Sequence, residues 1–131
     1  MTTRLIVTAA AFLLIGSAAQ AAGDVHSAPL FNSFGPSEAF VYVWNYGSAP
    51  VTVTGASITD ISTGLTVALG GNTCTAAIPA HQSCHFFASD PQYSGYGATF
   101  SVVGAPIESV RGWFFLETSS SSITTASSEM H

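Results

Sequence analysis

EAFVYVWNYGSAPVTV, residues 38–53, is the stretch on which the fold turns. β-Branched and aromatic residues run as far as Trp44, then Asn45, Gly47 and Pro50 interrupt, and Val51 begins a second apolar run. That order reads as strand, tight turn, strand. A strand with one face in water alternates apolar and polar residues. Here Ala39, Val41 and Val43 share one face and Phe40, Tyr42 and Trp44 the other, and neither face is polar. Asn45 stands where its side chain can cap the turn, and Gly47 can take a positive φ. What covers the aromatic face decides between a structural module and a binding surface.

The N-terminus points to export. Arg4 precedes an apolar run at 5–15, and Ala19-Gln20-Ala21 follows the small-x-small pattern of a signal-peptide cleavage site. The run is well short of the ~20 residues needed to span a bilayer. The expected organisation is a signal peptide at 1–21 cut after Ala21, a folded domain at 22–117, and a disordered Ser/Thr-rich tail at 118–131, TSSSSITTASSEMH. The location is then periplasmic or secreted, with no membrane insertion of the mature chain. Without Arg4, the mature chain has Arg111 as its sole Lys or Arg against seven acids, a formal charge of −6. That balance excludes nucleic acid and anionic lipid surfaces as partners, since both need several cations. Cys74 and Cys84 follow an export signal, so a disulfide is expected, against a Cys/His metal site using His81 and His85.

Outside the leader, helical periodicity is absent and turn residues recur at short intervals, the pattern of an all-β sandwich or barrel. Strands are expected at 29–34, 38–44, 51–60, 65–69, 73–78, 83–89, 96–103 and 107–117. In the last, Val110, Gly112, Phe114 and Leu116 share one face, and Arg111, Trp113, Phe115 and Glu117 the other.

Three stretches taken in order carry a resemblance: VYVWNYGSAPVTVTGASI, CTAAIPAHQSC and CHFFASDPQYSGYGATFSVVG. Together they resemble bacterial immunoglobulin-like domains of the abnormal-spindle/Hydin-like class, over about residues 28–117. The resemblance implies an antiparallel immunoglobulin-like β-sandwich of seven to eight strands with one disulfide. It also implies a non-catalytic interaction or structural role, and it supplies no active-site residues. In its frame Val41, Val43 and Phe86 point to the core, with Cys84 and Ala88 sharing Phe86's parity, while His85 and Phe87 face outward. Two departures stand out. The segment HFFASDP is shorter than usual, which predicts a short or bent strand. The outward face of the strand before Asn45 is normally polar, whereas this one carries Phe40, Tyr42 and Trp44.

Catalytic signatures are missing: there is no Gly-x-Ser-x-Gly elbow, and the acids are scattered singly. No enzyme activity and no cofactor are expected. One metal option rests on an alternative cut after Gly23, which would leave Asp24-Val25-His26 at the amino end. An amine, two amides and the His26 imidazole suit square-planar copper(II) or nickel(II). For the aromatic face three readings stay open: a covering segment makes it core, it docks a protein partner, or it stacks on a sugar. The candidate surface is Phe40, Tyr42, Trp44 and Tyr46, with Tyr93 and Tyr96 from the Tyr/Gly/Ser-rich loop at 90–98. The function expected is that of an exported, non-catalytic envelope or extracellular interaction module. A carbohydrate-binding module and a pilus-type surface-assembly subunit are the alternatives, and the partner is a protein or glycan at the cell envelope.

Overall fold

A computed structural model describes residues 23–31, 37–89, 95–118 and 123–131. The expected signal peptide at 1–21 and Tyr93 lie outside the described residues. Ten strands run along them: β1 (Gly23–His26), β2 (Leu30–Phe31), β3 (Ser37–Asn45), β4 (Thr52–Asp60), β5 (Leu65–Val67), β6 (Gly71–Asn72), β7 (Ser83–Ala88), β8 (Gly95–Val103), β9 (Val110–Thr118) and β10 (Ile123–Met130). A single 3₁₀ turn, Ile107–Ser109, precedes β9. All pairing is antiparallel, in two sheets. One sheet has the order β1-β8-β4-β5, with β2 also on β8. The other has the order β10-β9-β3-β7-β6.

The chain is thus an all-β sandwich with one disulfide, as the sequence indicates, but with more strands than the seven to eight expected. The two inner faces make one core. Val25, Ile58, Tyr96, Ala98, Phe100 and Val102 come from the first sheet; Ala39, Val41, Val43, Phe86, Ala88, Phe114, Leu116 and Met130 come from the second. Phe86 and Phe100 meet edge to face across the gap, ring centres 6.4 Å apart. The expected inward parities of β3, β7 and β9 hold residue by residue.

Four expectations need correction. First, 73–78 is not a strand. Asn72 Oδ1 accepts the Cys74 N–H at 2.8 Å, closing a side-chain turn that competes with extended backbone. Second, 107–109 is the 3₁₀ turn rather than the start of a strand, with the Ser109 N–H and hydroxyl both donating to the Pro106 carbonyl. Third, Gly47 is absent from the residues of positive φ. Asn45 Oδ1 accepts its N–H at 2.9 Å, and a methyl group there would sit 3.0 Å from Ser109 Cβ, so a side chain fits only if Ser109 gives way slightly. Fourth, the tail is not wholly disordered. β10 pairs along β9 from Ile123↔Thr118 to Met130↔Gly112, and Met130 is buried. Backbone pairing to a ready edge strand holds this segment.

Cys74 and Cys84 are bonded, with Cα atoms 5.1 Å apart. The bond closes the loop that carries Ile78 and Pro79 back beneath the end of β3. Reduction is expected to destabilise the fold by about 3 kcal/mol on the chain-entropy model, lowering the melting temperature by roughly 10 °C or more. Thermal melts with and without reductant check this, and thiol titration of the folded protein should find no free cysteine.

Candidate functional site

The outer faces of the two sheets differ in kind. On the first, β4 and β8 present Thr54, Ser57, Thr59, Thr99 and Ser101, the hydroxyls of Ser57 and Thr99 2.9 Å apart. Hydroxyls line the middle of this face, and Phe31, opposite Gly95, and Val103 are exposed at its two ends. The second sheet is the reverse, because β3, β7 and β9 each put aromatic residues on the outward parity.

Register turns these residues into rows. Phe40 on β3 lies opposite Phe87 on β7 and Phe115 on β9; Tyr42 lies opposite His85 and Trp113; Trp44 lies opposite Ser83 and Arg111. The Phe40 ring is within 5° of parallel to Phe87 at 5.5 Å and within 14° of parallel to Phe115 at 6.2 Å. At 5.5 Å two benzene rings cannot lie side by side in one plane, so Phe40 and Phe87 overlap as an offset stack. Room for Phe87 comes from β6, where a methyl on Gly71 would stand 2.5 Å from Phe87 Cε1. Further along, Tyr42 tilts against both Phe40 and Phe115, and Trp44 continues to Tyr46, 5.7 Å away, which meets Trp113 edge-on at 6.4 Å.

Solvent reaches the far end of this platform. Tyr42 is 43% exposed, Trp44 39% and Tyr46 50%, while Phe40, His85, Phe87, Trp113 and Phe115 are half-buried against one another. Tyr42 and Trp44 therefore do not belong to a covered core. The structure gathers Phe40, Tyr42, Trp44 and Tyr46 and adds Phe87, Trp113 and Phe115, which the sequence places outward but does not connect to them. Tyr96 is a correction: it is 2% exposed, deep in the core opposite Leu30. β8 already starts at Gly95, and Tyr96 shares its inward parity with Ala98, Phe100 and Val102.

The turn that carries Tyr46 is fixed from below. Asn45 is wholly buried, and its Nδ2 donates to the carbonyls of Ala49, Ile78 and Pro79 at 2.9, 3.1 and 3.1 Å. Its main-chain N–H donates to Gln82 O, and Val51 and Ile78 exchange two more backbone bonds alongside. One side chain so ties the 45–50 turn to the disulfide loop, holding Trp44 and Tyr46 on a rigid end of the sheet.

Charge lies at the margins. Glu38 and Glu117 face each other across β3 and β9 beyond Phe40. At the opposite end Tyr46, Glu108, Arg111, Trp113 and Glu129 line an open groove of about 420 Å³. Arg111 Nε is 3.8 Å from Glu129 Oε1, and Nη1 donates to the carbonyls of Glu108 and Val110.

The copper option fares less well. The His26 main-chain N–H donates to His131 O at 2.8 Å, so an amide-nitrogen chelate there would have to break a sheet bond. No group of three or more His, Cys, Asp or Glu gathers among the described residues.

Neither a family model, nor a curated protein, nor a solved structure matches this chain.

Proposed function

We propose that the protein is an exported, non-catalytic interaction module that docks a protein partner on the aromatic outer face of the β10-β9-β3-β7-β6 sheet. The carrying observation is the exposure of Tyr42, Trp44 and Tyr46 within one contiguous aromatic platform. Large apolar patches of this kind mark association sites, and Trp and Tyr dominate the energetics of protein interfaces. Export is supported by the leader-like N-terminus and the disulfide. No helix among the described residues is long and apolar enough to cross a membrane. The two-sheet architecture accords with the immunoglobulin-like resemblance. Ring stacking favours a protein over a sugar: a sugar stacks on a free ring face, and Phe40 has near-parallel rings on both sides.

Site-specific photocross-linking in the producing cell tests this. A photoreactive phenylalanine analogue at Tyr42 should give a discrete protein adduct, and the same analogue at Thr54, on the hydroxyl-lined face, should not. Adding Trp44→Ala should abolish the adduct while costing about 1–2 kcal/mol of stability, against roughly 3–5 kcal/mol for a fully buried Trp. No adduct at Tyr42, or equal adducts at both positions, overturns the reading.

A further inference from the structure

We infer that the partner docked on this face is a protein surface with an apolar centre edged by Lys or Arg. The inference rests on the docking reading above and concerns the chemistry of the occupant. The aromatic rows end in carboxylates on both sides. Glu38 and Glu117 are directly opposite on neighbouring strands, and neither side chain makes a hydrogen bond or ion pair with the described residues. Like charges so placed repel, and an incoming cation removes the repulsion. At the other end, Glu108 and Glu129 flank Tyr46 and Trp113 in the groove. Aromatic walls beside carboxylates favour an ammonium or guanidinium head. Arg111, the one cation there, is turned onto Glu129 and two backbone carbonyls of its own chain. Among the described residues, four carboxylates against one guanidinium leave the rim of the platform negative.

The same charges weigh against the other occupants. A second copy would lay an equally acidic rim on this one, and the chain has no Lys and only Arg4 and Arg111 to answer it. An anionic membrane surface meets the same repulsion. A neutral glycan can donate hydroxyls to the carboxylates but leaves their charge unpaired. A basic, apolar-centred polypeptide satisfies both the rings and the rim, and charge complementarity of this sort sets partner choice.

Trp44 and Trp113 are the chain's only tryptophans, and both stand on this face, so intrinsic fluorescence reads its occupancy directly. The probes are three synthetic helical peptides with one Leu stripe flanked by Lys, by Gln or by Glu. The Leu/Lys peptide should shift the fluorescence saturably and bind at least about tenfold tighter than Leu/Gln, with Leu/Glu weakest. Its affinity should fall as salt shortens the screening length to about 3 Å near 1 M. Glu38→Gln/Glu117→Gln should weaken Leu/Lys binding several-fold, leave Leu/Gln binding unchanged, and not lower the melting temperature. Tyr42→Ala, which keeps every acid, should also weaken Leu/Lys binding; undiminished binding would mean charge alone is responsible and overturns the inference. Equal affinities for the three peptides, a chain dimer in sedimentation that is lost on Tyr42→Ala, or fluorescence shifted by cello-oligosaccharide but not by peptide overturn it too. A cross-linked partner at Tyr42 together with no charge preference defeats this inference and leaves the docking reading standing.

Discussion

Val43→Asp will not fold at neutral pH. Val43 is fully buried in the middle of the sandwich, between Cys84 on β7 and Gly112 on β9, with Val41 and Phe114 nearby on the same inward face. A carboxylate there has no cation to pair with, and the neighbouring backbone donors are already committed to the ladder. Burying an unpaired charge costs several kcal/mol even after relaxation, on top of the lost apolar burial of about 1.5–3 kcal/mol. The total is comparable with the whole stability of a domain this size, about 5–15 kcal/mol. Tyr42→Asp, one residue away on the water-facing side, should retain the native circular dichroism spectrum and a cooperative melt. If both variants fold, or neither does, the assignment of faces along β3 is wrong.

Asn45→Ala should destabilise by about 3–4 kcal/mol, well above the ordinary effect of a surface turn residue. The two Nδ2 protons serve three carbonyls, and Oδ1 serves the Gly47 N–H. Removing them breaks four bonds at once: the buried Ile78 carbonyl keeps only the Val51 N–H, while the part-buried bonds to Ala49, Pro79 and Gly47 are partly recovered by water. Urea titration should give a lower midpoint with an unchanged slope, and the melting temperature should fall by roughly 15–25 °C. A loss under about 1 kcal/mol would show that the turn holds without its side-chain tie. Asn45→Asp should be worse than Ala at neutral pH, since it points a negative oxygen at carbonyl oxygens where a donor stood.

The parts of this fold legible in the sequence are those where strand parity runs unbroken. β3, β7 and β9 alternate without interruption, so Val41, Val43, Phe86 and Phe114 could be placed inward and Phe40, Tyr42 and Trp113 outward from spacing alone. β4 shows where parity fails. Val53 and Ile58 both point into the core although four residues, an even number, separate them, a spacing that strict alternation puts on opposite faces. A bulge between Thr54 and Ser57, with Gly55 at φ 60°, inserts the residue that restores the alignment. Short or polar strands such as β1, β6 and β10 are held by backbone bonding to a neighbour, and backbone bonding leaves no side-chain signature. The site was half legible for a related reason. Sequence gives the parity of each aromatic residue, but only register shows that Phe87, Phe40 and Phe115 form one row. Tyr96 was misplaced because the loop's Tyr/Gly/Ser composition outweighed the parity of the strand it opens.

The contact between β1 and the end of β10 has a mechanical consequence. His26 and His131 exchange two backbone hydrogen bonds, and Ser27 bridges Met130 behind them, so the edge strand of one sheet is stitched to the edge strand of the other. The two strands are antiparallel, so Gly23 and His131 leave this stitch in the same direction. Within the stitch, tension applied through both would reach the His26–His131 pair before the Ser27–Met130 bridge. That is an unzipping load, which opens bonds in succession, whereas shear would set them against the force together. Pulled this way, the sandwich should part at that edge under low force, well before the Asn45 tie and the disulfide at its other end bear any strain.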